Sequence, residues 1–145
     1  MRPEIDESTR EFINRHRVAR LATADLRGRP AVVPICYAFD GEKLYSPIDE
    51  KPKSVEARSL RRARNIESNP SVSVLIDDYS EDWSKLEYVL ITARATLLAE
   101  GDAGHARAVG LLREKYPQYL SMHIESGIII SIEPVTIKRW DATTR

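Results

Sequence analysis

Six basic side chains crowd the stretch YSPIDEKPKSVEARSLRRARNIESNP, residues 45–70: Lys51, Lys53, Arg58, Arg61, Arg62 and Arg64. Their types and spacing suit the holding of an anion. Lys51 and Lys53 flank Pro52, and in an extended segment both side chains leave the same face of the backbone. A helix opening at Ser54 adds its free N–H groups, which form an anion site. Arg61 and Arg62 lie about two turns further on, where a guanidinium fork can reach back to a phosphate. A solvated basic helix face accounts for the same residues. Nucleic-acid binding is a third reading, but the rest of the chain offers no basic surface to extend it.

Other chemistries find little support. There is no G-x-G-x-x-G, no Walker-type loop and no G-x-S-x-G in the chain, so dinucleotide, P-loop and hydrolase sites lack their motifs. The three histidines, His16, His105 and His123, fall on different elements without metal-ligand spacing and read as surface or capping residues. Cys36 is the single cysteine; it excludes an internal disulfide or a multi-thiolate metal site and reads as an inert buried side chain. Lys plus Arg number 22 and Asp plus Glu number 22, a balance that gives no general attraction to nucleic acid or anionic membrane. No apolar run approaches bilayer length, and the charged amino end lacks a signal peptide's apolar core. A cytoplasmic setting is expected.

These residues need elements to position them. Within 145 residues, 42% hydrophobic, one domain with a real core is expected. Residues 3–17 read as a helix, acidic at the start and basic at the end, as the helix dipole favours. Residues 18–24 (VARLATA) read as a strand, followed by a turn through Asp25, Gly28 and Pro30. Residues 31–39 (AVVPICYAF) read as a second strand, in which Pro34 marks an edge, a bulge or the approach of a ligand. Asp40-Gly41 is a hairpin signal leading to a third strand at 43–48. Together these three strands make a meander.

A helix over 54–68 follows, stopped by Asn69-Pro70. Residues 71–77 and 88–99 read as strands four and five, joined by an acidic connection that carries Tyr79 and Trp83. Asp102 caps a helix through Lys115, with Ala106, Val109, Leu112 and Leu111 on its buried stripe. Residues 127–137 form a sixth strand interrupted by Pro134, and Trp140 lies in a tail. The expected fold is α+β: an antiparallel six-stranded β-barrel with flanking helices, closed so that few edges stay open.

The order of these elements resembles the pyridoxamine-phosphate-oxidase class of split β-barrels. The residues that carry the resemblance are RLAT (20–23), Gly28-Arg29-Pro30, VVPICYAFDG, LYSPIDEKPK and LRRARNIESNPSVSVLID, in that order. Within the class the chain is most similar to the deazaflavin-dependent (F-420) oxidoreductases, through DEKPK (49–53), LRRARNI (60–66), DDYSEDWSKL (77–86) and KYPQY (115–119). Ala93 departs from the pattern, where relatives often carry glycine. The similarity runs from about Val18 to Trp140.

The resemblance implies a homodimer with two cofactors in clefts at its interface. Lys51 and Lys53, with Arg61 or Arg62, would grip the cofactor phosphate. The ring would lie along Val33, Pro34, Ile35 and Cys36 of one strand and Ser46, Pro47 and Ile48 of another. Tyr79 and Trp83 would cover the ring or line the substrate cleft from the partner chain; plain packing explains them as well. The implied cofactor is the F-420 deazaflavin, with FMN as the alternative, and the implied reaction is hydride exchange with a small-molecule substrate. The remaining alternative is a flavin- or pigment-binding protein without turnover. Neither nucleic acid nor membrane is expected as a partner.

Overall fold

A computed structural model describes residues 2–48 and 60–143. Among them, alternation of apolar and polar side chains builds one seven-stranded antiparallel sheet. The strands are β1 (Ala19–Ala24), β2 (Pro30–Ile35), β3 (Ala38–Phe39), β4 (Leu44–Pro47), β5 (Ser71–Asp78), β6 (Glu87–Leu98) and β7 (Ile129–Asp141). Their order across the sheet is β2-β1-β5-β6-β7-β4-β3. In β6, Val89, Ile91, Ala93 and Ala95 turn inward and are buried, while Tyr88, Leu90, Thr92 and Arg94 turn outward. That period of two is what a half-buried strand requires.

The sheet curls around one core, covered by α1 (Glu7–Arg15) and α2 (Arg61–Ser68). Phe12 and Ile13 from α1, and Ala63 and Ile66 from α2, pack there against Leu21, Val74, Ile76, Ile91 and Ile132. Each such aliphatic side chain contributes about 1.5–3 kcal/mol by leaving water. A second cluster lies under α3 (His105–Lys115), where Ala108, Val109 and Leu112 meet Ala38, Tyr45 and Ile129. No helix among the described residues is long and apolar enough to cross a membrane.

The α+β fold with a curled antiparallel sheet follows the sequence reading, but as a half-barrel with two open edges rather than a closed barrel, and with seven strands where six were expected. The extra strand arises because residues 31–39 split. After Ile35 the backbone leaves the ladder, and Tyr37 N donates instead to the Tyr116 hydroxyl at 3.1 Å. β3 then pairs with β4 through the Asp40-Gly41 turn, in which Asp40 N donates to Lys43 O at 3.1 Å and Gly41 has φ 96°. The expected meander is therefore not formed: β2 ends one edge of the sheet and β3 the other. Cys36 and Tyr37 carry the chain between those edges.

Element ends also move. α1 begins at Glu7 because Asp6 caps it, its Oδ1 accepting from Thr9 N at 2.8 Å. α3 begins at His105 after Gly104 at φ 90°, and Asp102 accepts instead from Ala99 N at 2.7 Å. Ala106 is exposed, and His105 takes the buried position. Only the last part of the helix expected over 54–68 falls among the described residues, as α2; its opening at Ser54 lies outside them. β7 passes Pro134 by a register shift at Thr92/Ala93 on β6 and continues to Asp141, so Trp140 belongs to a strand.

Candidate functional site

The two ends of the sheet approach each other at a cleft of about 380 Å³. Val33, Pro34, Ile35 and Cys36 supply one wall, from the end of β2. Ser46 and Pro47 of β4 supply another, Arg62 enters from the first turn of α2, and Val18 and Tyr119 complete the lining. β2 is an edge strand paired only with β1, where Pro34 lies opposite Arg20. Proline has no N–H to leave unpaired, so this edge can face a ligand without an orphan donor at that position.

Seven of the residues singled out in the sequence thus meet in one cleft: Val33, Pro34, Ile35, Cys36, Ser46, Pro47 and Arg62. Cys36 is half-buried and lines it, as the family resemblance implies, rather than lying fully buried as the strand pattern alone suggested. Ile48 turns into the core, and its N–H donates to Ile128 O at 2.9 Å. Arg61 is exposed, with Nη2 3.5 Å from Pro30 O. Tyr79 and Trp83 are 67% and 68% exposed on the β5–β6 connection and do not line this cleft. Lys51 and Lys53 lie outside the described residues.

Val18 and Tyr119 were not among the expected site residues. The signal for Tyr119 was present in KYPQY. Pro117 opens a 3-10 turn over Pro117–Ser121 that brings Tyr119 inward. Arg113 locks this turn, its Nε donating to Tyr119 O at 3.1 Å and its Nη2 to Met122 O at 2.9 Å.

Behind Cys36 lies a polar cluster. The Tyr116 hydroxyl accepts from Tyr37 N and has two carbonyl acceptors, Arg17 O at 2.8 Å and Tyr37 O at 2.9 Å. The Tyr37 hydroxyl donates to Ile13 O at 2.6 Å. Burial pushes the Tyr37 phenol well above its ordinary range and the Tyr116 phenol up to about 12. Burial, with the Arg17 charge adding to it and Cys36 opposing, brings the Lys115 amine down to about 8.

The cleft is an apolar slot with one guanidinium and two hydroxyl-bearing side chains. Among the described residues there is no group of three or more His, Cys, Asp or Glu able to hold a metal ion. The donor set suits a flat ligand with an anionic end: Pro34, Ile35 and Pro47 offer apolar contact, and Arg62 matches a phosphate fork. A flavin-type cofactor meets that description.

The family model described as pyridoxamine 5'-phosphate oxidase matches residues 5–141. The chain is similar in structure to the heme storage protein HutZ from Vibrio cholerae, at 18% identity and TM-score 0.74, over 97% of this chain and 95% of that one. It is similar to an F420 reductase at 20% identity and TM-score 0.68, over 92% and 98% of the two chains. A FAD-binding protein from Mesorhizobium loti matches at 22% identity and TM-score 0.64, over 91% and 89%. At these identities the likeness shows the fold. A search of curated proteins found no match.

Proposed function

Since the chain belongs to the pyridoxamine 5'-phosphate oxidase family, we propose that it is an oxidoreductase holding a flavin-type cofactor between β2 and β4, with F-420 preferred over FMN. The observation that carries this reading is the cleft itself, in which an apolar strand edge and the Arg62 guanidinium face one space. The preference for F-420 rests on the DEKPK, LRRARNI, DDYSEDWSKL and KYPQY motifs, and the fold likeness to an F420 reductase supports it.

In this reading Arg62, with Lys51 and Lys53, holds the phosphate. Val33, Ile35 and Pro47 exclude water from the ring, and Ser46 and Tyr119 offer hydroxyls to its polar edge. Bound there, the cofactor supplies the hydride chemistry toward a small, electron-poor organic substrate. No acid, base or nucleophile from the chain is required.

The protein is further proposed to act as a homodimer. Tyr88 and Trp140 stack on the outer face of β6 and β7, ring centres 5.6 Å apart, beside the exposed Leu90 and Val135. An uncovered face of this kind suits a second copy, and Tyr79 and Trp83 would then be offered to the partner's cleft.

Titration of the purified protein with F-420 and FMN, followed by absorbance and fluorescence, tests the cofactor. Tight F-420 binding supports the reading; tight FMN binding with no response to F-420 overturns the preference. Oxidation of pre-reduced cofactor across quinones, enones and biliverdin-like pigments then tests turnover.

Pigment binding without turnover is the second reading, supported by the fold likeness to HutZ. The histidines weigh against an imidazole-ligated heme in this cleft, since none of the three lines it. His105 Nε2 is 2.7 Å from Gly127 O, and His123 Nδ1 is 3.3 Å from Glu125 Oε2.

A further inference from the structure

We infer that His16 is a pH-sensitive clasp, doubly protonated when closed, that ties the end of α1 to the end of β5. Its Nδ1 lies 2.7 Å from Phe12 O and its Nε2 lies 2.6 Å from Asp78 Oδ1. The first partner is a carbonyl in the last turn of α1, which can only accept. An ionised Asp78 can only accept as well. A neutral imidazole has one N–H and would turn a lone pair onto one of these oxygens. The doubly protonated ring satisfies both, and its charge stands at a helix C-terminus, where the dipole favours a cation.

The surroundings fit that charge. The His16 side chain is 12% exposed and packs on the Phe12 ring of α1, centres 4.2 Å apart. On the same helix, Arg15 Nη1 lies 3.4 Å from Asp78 Oδ2, and its Nη2 lies 3.5 Å from Glu87 Oε1 of β6. Arg139 of β7 reaches Glu87 Oε2 at 2.9 Å and feels Asp141 and Asp6 as well. Asp77 of β5 is paired with Arg20 of β1 at 3.0 Å. Apart from that pair, the carboxylates Asp6, Asp78, Glu87 and Asp141 outnumber the guanidiniums Arg15 and Arg139, and an imidazolium reduces the excess. Burial works against an ionised Asp78, but the bond and charge of His16, with Arg15, hold its carboxyl below the usual range.

The clasp sits between two candidate ligand-facing segments. Two residues after His16 the chain reaches Val18 in the cleft wall, and one residue after Asp78 it reaches Tyr79. Loss of one ring proton removes one of the two donors. The clasp is closed in acid and opens toward alkaline pH. None of this depends on what occupies the cleft.

Imidazole ¹⁵N NMR of the full chain at pH 5.5 and 8.0, with thermal unfolding of the wild type and His16→Gln, tests the inference. At pH 5.5 both His16 nitrogens should carry protons. Between pH 5.5 and 8.0 the wild-type Tm should fall by roughly 3–6 °C more than that of the variant. His105 and His123 remain in both proteins, so the difference isolates His16. If His16→Gln does not fold, the NMR measurement still decides. A single protonated nitrogen at pH 5.5, or equal pH slopes in the two proteins, overturns the clasp.

Discussion

The Lys115 amine lies 4.0 Å from the centre of the Tyr37 ring, buried and without a hydrogen-bond acceptor among the described residues. The ring face returns part of the lost hydration, yet burial still brings the amine to about 8 from 10.5. A base whose folded pKa is depressed binds fewer protons in the fold than in the unfolded chain between those two values. Stability therefore rises with pH across that window. The raised phenols of Tyr37, Tyr45 and Tyr116 act oppositely from about pH 10, where the unfolded tyrosines ionise first. The wild-type Tm should thus climb from pH 7.5 to 9.5. Lys115→Met should flatten that climb and gain about 1 kcal/mol at pH 7, a figure discounted for the partial exposure of the side chain. Thermal melts of both proteins at several pH values measure this.

Tyr116→Phe should be costly although it removes one atom. The hydroxyl is the partner of Tyr37 N and faces the carbonyls of Arg17 and Tyr37, at the point where the chain crosses between sheet edges. Without it, buried backbone groups lose their partner, at about 2–3 kcal/mol in all. Denaturant midpoints read the loss, and a change within 0.5 kcal/mol would show that water replaces the hydroxyl.

That same hydroxyl explains where the sequence misled. Strand periodicity in residues 31–39 is continuous, and nothing local announces that a tyrosine nearly eighty residues away will take over Tyr37 N. The meander was read from adjacency in the chain, whereas curling the sheet places β3 and β4 on the far edge. By contrast the cleft strands were legible, because Pro34 in an apolar run marks an edge and Asp40-Gly41 marks the hairpin that orients β4. Tyr119 and Val18 were missed because their place in the cleft depends on packing from α3 and α1. The exposure of Tyr79 and Trp83 is likewise a tertiary fact.

A charge on the outer sheet face should separate the proposed dimer. Leu90 is 36% exposed on β6, opposite Lys138 of β7 and Leu75 of β5. Its inward neighbours Val89 and Ile91 carry the core, so Leu90→Glu should leave the monomer folded. Sedimentation should show the wild type at twice the monomer mass and the variant at the monomer mass. An unchanged dimer would place the interface elsewhere.

Substitutions at Arg62, Arg61 and Lys53 test the proposed phosphate site. Arg62 faces the cleft from α2, whereas Arg61 is exposed and directed toward Pro30 O. Arg62→Gln should therefore weaken F-420 or FMN binding by about 10- to 100-fold, the effect of removing one charge-assisted bond of about 1.5–3 kcal/mol. Arg62→Lys should recover part of this, since a point charge replaces a bidentate fork. Arg61→Gln should change affinity less than threefold. Lys53→Ala should weaken binding while the melting temperature of the free protein stays unchanged, because a ligand contact and not a packing contact is lost. Affinity that follows Arg61 and ignores Arg62 would move the anion to the outer face of α2. Affinity indifferent to all three residues would remove the phosphate from this end of the cleft altogether.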